Sequence, residues 1–116
     1  MRQTTIDVGT RAETGAAAAL QRAGYRIVER NFRCKAGELD IIARDGDVLA
    51  FVEVRSRASD AHGHAAEMVG PAKRRQVARI AAHYLALKRP AIDRVRFDVV
   101  ALTGGDIEIF KDAWRL

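Results

Sequence analysis

The chain of 116 residues contains one cysteine, two prolines and only 6% aromatic residues. Cys34 alone cannot close an internal disulfide, and one thiolate is too few for a Cys-based metal site. The shortage of proline, with no tract rich in Gly, Ser and Pro, excludes collagen-like, mucin-like and disordered chains. No hydrophobic run approaches the roughly 18 residues that a membrane span requires. The opening MRQTTIDVGTRAE lacks the apolar stretch of a secretory signal. Together these absences predict a reduced, cytoplasmic compartment and no membrane partner. The low aromatic content also argues against base stacking along single-stranded nucleic acid.

What is present is a globular composition, 48% hydrophobic and 30% charged, in a length suited to one domain spanning residues 1–116. Twenty Lys+Arg against 15 Asp+Glu give a formal net charge of +5. A basic surface of this kind suits a polyanion, because each phosphate neutralised releases counter-ions. It also serves solubility alone, and the excess does not choose between the two. Of the cations, 16 are Arg and four are Lys.

Thr10 to Ala23 reads as a helix with Ala12, Ala16, Ala19, Leu20 and Ala23 on one stripe, Thr10 as cap and Gly24 as terminator. Tyr25 to Phe32 reads as a strand with Tyr25, Ile27 and Val28 inward. Glu38 to Arg44 and Val48 to Arg55 flank Asp45-Gly46-Asp47, a hairpin signal. Gly70-Pro71 opens a second helix to about Lys88, with Val77, Ile80, Ala81, Tyr84 and Leu87 apolar and Arg74, Arg75 and Arg79 outward. Val95 to Leu102 and Ile107 to Phe110 complete the order αβββαββ. The expected fold is α/β, a mixed central sheet flanked by helices.

The hairpin GELDIIARDGDVLAFVEVR carries the candidate chemistry. With Gly46-Asp47 as the turn, Asp40 lies opposite Glu53 and Glu38 opposite Arg55; with Asp45-Gly46, Glu38 faces Glu53. Either register places these four groups on one face, with Ile42, Leu49 and Phe51, near the end away from the turn. Leu39, Ile41, Ala43, Val48, Ala50, Val52 and Val54 form the other face. Three carboxylates on buried strands repel one another unless cations compensate. Two arrangements meet that need: a divalent cation, or a salt-bridge cluster of Glu38 and Glu53 with Arg55 and Arg57. Glu13, bordering the apolar stripe of the first helix, adds a further carboxylate, although first-turn acids also serve the helix dipole.

Glu13 on an opening helix, Asp40 in GELDIIA, and Glu53 with Arg55 in FVEVR together resemble the restriction-endonuclease-like PD-(D/E)XK nuclease superfamily. Within it they resemble archaeal Holliday-junction resolvases. The segments RNFRCKAGELDIIARDGDVLAFVEVRSR, VGPAKRRQVARIAAHYL and RFDVVAL extend the likeness, over nearly the whole chain, to the small bacterial YraN-type family. The resemblance implies a restriction-endonuclease-like fold and hydrolysis of DNA phosphodiesters with Mg²⁺ or Mn²⁺. Asp40 and Glu53 would be metal ligands, Glu13 an auxiliary ligand, and Arg55 the cation that steadies charge on the phosphate. The superfamily places Lys where Arg55 stands, and Arg cannot act as a general base.

Lys73, one helical turn before Val77, is either an alternative cation for the site or a solvated surface residue. Lys73, Arg74, Arg75 and Arg57 are the candidate nucleic-acid contacts, with Arg30, Arg33, Lys35 and Arg79 extending the surface toward duplex or branched DNA. His62 and His64 have a spacing that suits a metal but lack neighbouring ligands, and His83 beside Tyr84 reads as structural. Asp98 is expected to bond a basic partner such as Arg96, and Cys34 to be inert. The last strand and Trp114 are candidates for a homodimer face. Two other functional readings fit the composition: a non-catalytic nucleic-acid-binding module on the same scaffold, and a protein-interaction adaptor in which the hairpin charges only pair with one another.

Overall fold

Gly46 adopts φ 64° while Asp47 stays at negative φ, the pattern of a II′ turn. Asp45 therefore pairs with Val48 and Ile41 with Val52, which selects the Gly46-Asp47 register. The computed structural model describes residues 5–57 and 69–115, with side chains described for 11–56 and 69–115. The elements are α1 (Thr5–Arg22), β1 (Arg26–Cys34), β2 (Gly37–Asp45), β3 (Val48–Arg57), α2 (Pro71–Lys88), β4 (Arg94–Thr103) and β5 (Asp106–Trp114). This is the expected αβββαββ order. Among the described residues no helix is long and apolar enough to cross a membrane.

The sheet runs β1-β2-β3-β4-β5, antiparallel except for the parallel β3–β4 pair. That pair needs a crossover, and α2 lies on it. One sheet face packs Leu39, Ile42, Leu49, Phe51, Phe97 and Val99 against Val77, Ile80, Ala81 and Tyr84 of α2. The other packs Ile41, Ala43, Ala50, Val52 and Val100 against Ala16, Ala17 and Leu20 of α1. The small alanine stripe lets α1 approach the sheet closely.

Several expectations change. Thr10 lies inside α1 rather than capping it, because the helix continues through Gly9, which costs only about 1 kcal/mol relative to alanine. Ala23 is exposed beyond the helix end. Val28 is 42% exposed, being the extra residue of a bulge between Ile27 and Glu29. Leu87 is 68% exposed, because the last turn of α2 runs past the sheet. His83 is exposed rather than packed. β5 is longer than expected, and it buries Trp114 with its ring stacked on Phe97 at 5.1 Å, which removes Trp114 from any dimer face.

Leu39 joins Ile42 on the α2 face, although regular alternation would place it with Ile41 and Ala43. The cause lies across the ladder. Asn31, between the pairs Arg30↔Ile41 and Phe32↔Leu39, takes a left-handed φ of 56°, which Asn tolerates. Both strands turn over at Asn31 and Asp40.

On the α1 face of β4, in register with Val52, Asp98 is fully buried and fully partnered. Arg96 donates Nε to Oδ1 at 2.8 Å and an Nη2 bond to Oδ2 at 2.9 Å. Tyr25 donates its hydroxyl to Oδ2 at 2.7 Å, and Asp112, at φ 56° in a bulge of β5, donates its backbone N–H to Oδ1 at 2.9 Å. Arg96 also donates to Asp45, which Lys111 pairs at 2.9 Å. The predicted Asp98–Arg96 bond is present within this larger network, which joins α1's exit, the hairpin, β4 and β5. Asp98→Ala would leave Arg96 with its main partner gone, and should lower the unfolding free energy by about 3–5 kcal/mol in urea titrations. Tyr25→Phe, removing one of four donors, should cost about 1–2 kcal/mol.

Candidate metal and phosphate site

The β2–β3 ladder is paired as far as Ile41↔Val52. One step further, the carboxylate of Asp40 takes over: its Oδ2 accepts the backbone N–H of Val54 at 3.0 Å. A side chain thus replaces a ladder carbonyl where β2 turns over, and Asp40 is fixed in the gap between the strands.

Glu53 follows on β3, on the face of Leu49 and Phe51, and is only 4% exposed. Lys73 in the first turn of α2 places Nζ 3.3 Å from its Oε2. That is ion-pair distance, yet its geometry is not that of a hydrogen bond, and Oε2 is buried without a donor among the described residues. Burial first, then the neighbouring Asp40, push the Glu53 carboxyl up to about 7, and Lys73 offsets only part of this.

Glu13 also titrates above the ordinary carboxylate range, through partial burial and then the charge of Asp40, with Arg30 opposing and Glu38 reinforcing. Asp40 is therefore shared by two neighbourhoods, Glu53 and Lys73 on the α2 side and Glu13 and Glu38 on the α1 side. The expectation that all four hairpin charges sit on one face is corrected by the turnover at Asn31 and Asp40, which carries Glu38 toward Glu13. Glu38 also pairs with Arg33, and Arg30 donates to Thr14 at 3.2 Å.

Arg55 is half-buried, two residues beyond Glu53, beside Ala101 of β4. Arg74 donates Nε to the carbonyl of Val69 at 2.7 Å and helps fix the entry into α2. Arg75 and Arg79 are exposed. The side chain of Arg57, and His62 and His64, lie outside the described residues. The contact that sequence reasoning left undecided is Lys73 with Glu53. Its one sequence signal was the offset of one turn from Val77, which aims Lys73 down the buried side of the helix.

Among the described residues no three His, Cys, Asp or Glu side chains gather into a ready-made metal cage. Hard divalent cations such as Mg²⁺ do not require one, since one or two carboxylates with water and phosphate oxygens suffice. Asp40 and Glu53 fit that pattern. They are two adjacent carboxylates, all-oxygen donors, and one of their oxygens is buried without a donor.

The family model described as "Uncharacterised protein family UPF0102" matches residues 12–102. A UPF0102 protein of Syntrophus aciditrophicus (strain SB) is 50% identical over 96% of this chain and 91% of its own length. One from Geobacter sulfurreducens is 47% identical over 83% of this chain and 75% of its own length. One from Dechloromonas aromatica (strain RCB) is 46% identical over 96% and 91%.

The raised Glu53 carboxyl has a thermodynamic signature. The folded chain holds this proton up to about pH 7, whereas an ordinary glutamate releases it near 4.5. Stability therefore falls as pH rises through that interval, and the full cost of the charged form is present above it. Glu53→Gln should stabilise the protein above pH 7 by up to about 3 kcal/mol and have no effect near pH 4, by urea unfolding at both values.

Proposed function

The chain belongs to the UPF0102 family, and we propose that it is a divalent-cation-dependent nuclease hydrolysing DNA phosphodiester bonds, with branched or junction DNA as the candidate substrate. The observation that carries this reading is the buried oxygen of Glu53 beside Asp40, which has no donor among the described residues. Two carboxylates forced together at the end of covered strands are costly for stability, and a cation of higher charge than Lys73 relieves them.

Asp40 and Glu53 would hold Mg²⁺ or Mn²⁺, which when bound supplies polarisation of the scissile phosphate and a water of lowered pKa. The backbone N–H of Val54 orients Asp40 for this task. Arg55 offers a planar guanidinium that suits two phosphate oxygens at once but cannot remove a proton. Glu13 extends the negative potential toward α1. Arg75 and Arg79, exposed on α2, suit the backbone of a neighbouring strand. Symmetrical cutting of a branched duplex calls for two copies of the chain.

A second reading, a nucleic-acid-binding module without cleavage, is favoured by one observation: Arg in place of Lys at residue 55. The two separate in one experiment. Wild type and Asp40→Ala are incubated with Mg²⁺ or Mn²⁺ and labelled linear, flapped, single-stranded and four-way-junction DNA. Cleavage by the wild type, falling to background in Asp40→Ala, is the expected result. Salt-sensitive binding without cutting, unaffected by chelator, would replace the nuclease with the binding module. No binding above background at physiological salt would leave a protein-interaction role.

A further inference from the structure

Lys73 and Arg74 stand in the first turn of α2 and Arg75 follows directly, with no acid in that turn. This is the wrong sign for helix stability, because that end already carries partial positive charge and unpaired N–H groups. Gly70 supplies no side-chain cap either. The turn is therefore suited to something outside the helix. Arg74 is engaged by the carbonyl of Val69, while Lys73 reaches across to β3 and Glu53.

The Lys73–Glu53 contact is unlike the buried pair on the other face of the sheet. Asp98 receives four hydrogen bonds from three residues. Among the described residues, Glu53 Oε2 has one cation at 3.3 Å and no donor in hydrogen-bond geometry. The Lys73 side chain is 34% exposed against 6% for Glu53, so the ammonium comes to the carboxylate from the solvent side. It forms a long ion pair from the end of a flexible four-carbon stem.

We infer that Lys73 is a displaceable counter-ion: its ammonium stands at Glu53 while no divalent cation is bound, and on cation binding it turns outward to a phosphate of the nucleic acid. This rests on the reading of Asp40 and Glu53 as a cation site. An ammonium and a divalent ion cannot share one carboxylate oxygen without strong repulsion, and the accessible partner is the one that leaves. The consequence is a linkage. A bound cation frees Lys73 for phosphate, and a bound phosphate draws Lys73 from Glu53 and so strengthens cation binding by the same factor. Lys73 thus supplies a mobile positive charge that Arg55, half-buried on its strand, does not.

The chain has only four lysines, Lys35, Lys73, Lys88 and Lys111, so ¹³C-lysine NMR reads each of them. Mg²⁺ is titrated into the full chain while the Lys73 ε-methylene and the Val54 amide, the donor to Asp40, are followed together. Both are expected to shift with one apparent Kd, while Lys88 and Lys111, paired to Glu29 and Asp45, stay in place. A shifting Val54 with a still Lys73 overturns the inference and leaves the cation site standing. A still Val54, whatever Lys73 does, overturns both. Duplex DNA affinity is then compared for wild type and Lys73→Met with Ca²⁺ and with chelator. A loss of roughly three- to tenfold with Ca²⁺ alone, about one phosphate contact, is expected. An equal loss in both buffers would make Lys73 an ordinary surface contact and overturn the proposal.

Discussion

Glu53 keeps its carboxylate almost out of water on β3, the middle strand of the five. The features around it follow from that. Asp40 cannot move away, because it has replaced a carbonyl in the ladder and holds the Val54 N–H. Lys73 cannot fully neutralise the pair, because it approaches from one side and meets one oxygen. The protonation of Glu53 near neutral pH is the outward sign of this unresolved charge.

The two faces of the sheet treat a buried acid in opposite ways, within one register step of each other. Asp98 is surrounded by Tyr25, Arg96 and the Asp112 backbone; its hydrogen bond raises the basicity of Arg96, and burial first, then the bond to Asp98, weakens the acidity of Tyr25. Such a network fixes which strands lie together without leaving capacity for a ligand. On the Glu53 face the same burial is left incomplete. A domain of this size can carry one uncompensated carboxylate pair when its other polar centre is closed and both sheet faces are covered.

Much of this was legible in the sequence. The Gly46-Asp47 turn narrowed the hairpin to two registers, and alternation in VLAFVEV gave the two covered faces. Juxtaposition of Asp40 and Glu53 belongs to only one of those registers, the one the fold selects. What period-2 reasoning missed was irregularity in β1 and β2. No local pattern announces the Val28 bulge or the left-handed Asn31. For that reason Glu38 and Leu39 were placed on the wrong faces. Tyr25, Asp45, Lys111 and Asp112 reach the Arg96–Asp98 pair only through the fold, being distant in sequence, and Lys73 reaches Glu53 in the same way. Composition alone left Lys73 among the solvated cations.

The parallel β3–β4 pairing has a consequence for the order of assembly. The β2–β3 hairpin closes through a two-residue turn, on the microsecond scale typical of hairpins. Val48 can meet Arg94 only after the whole α2 crossover has been brought round, and such distant pairings close later. Asp40 and Glu53 are therefore neighbours before the helix bearing Lys73 has docked. In a nascent chain the two carboxylates meet while still in water, where their repulsion is weak and a proton or dissolved cation is at hand. Docking of α2 then confines a charge arrangement that was built in solvent.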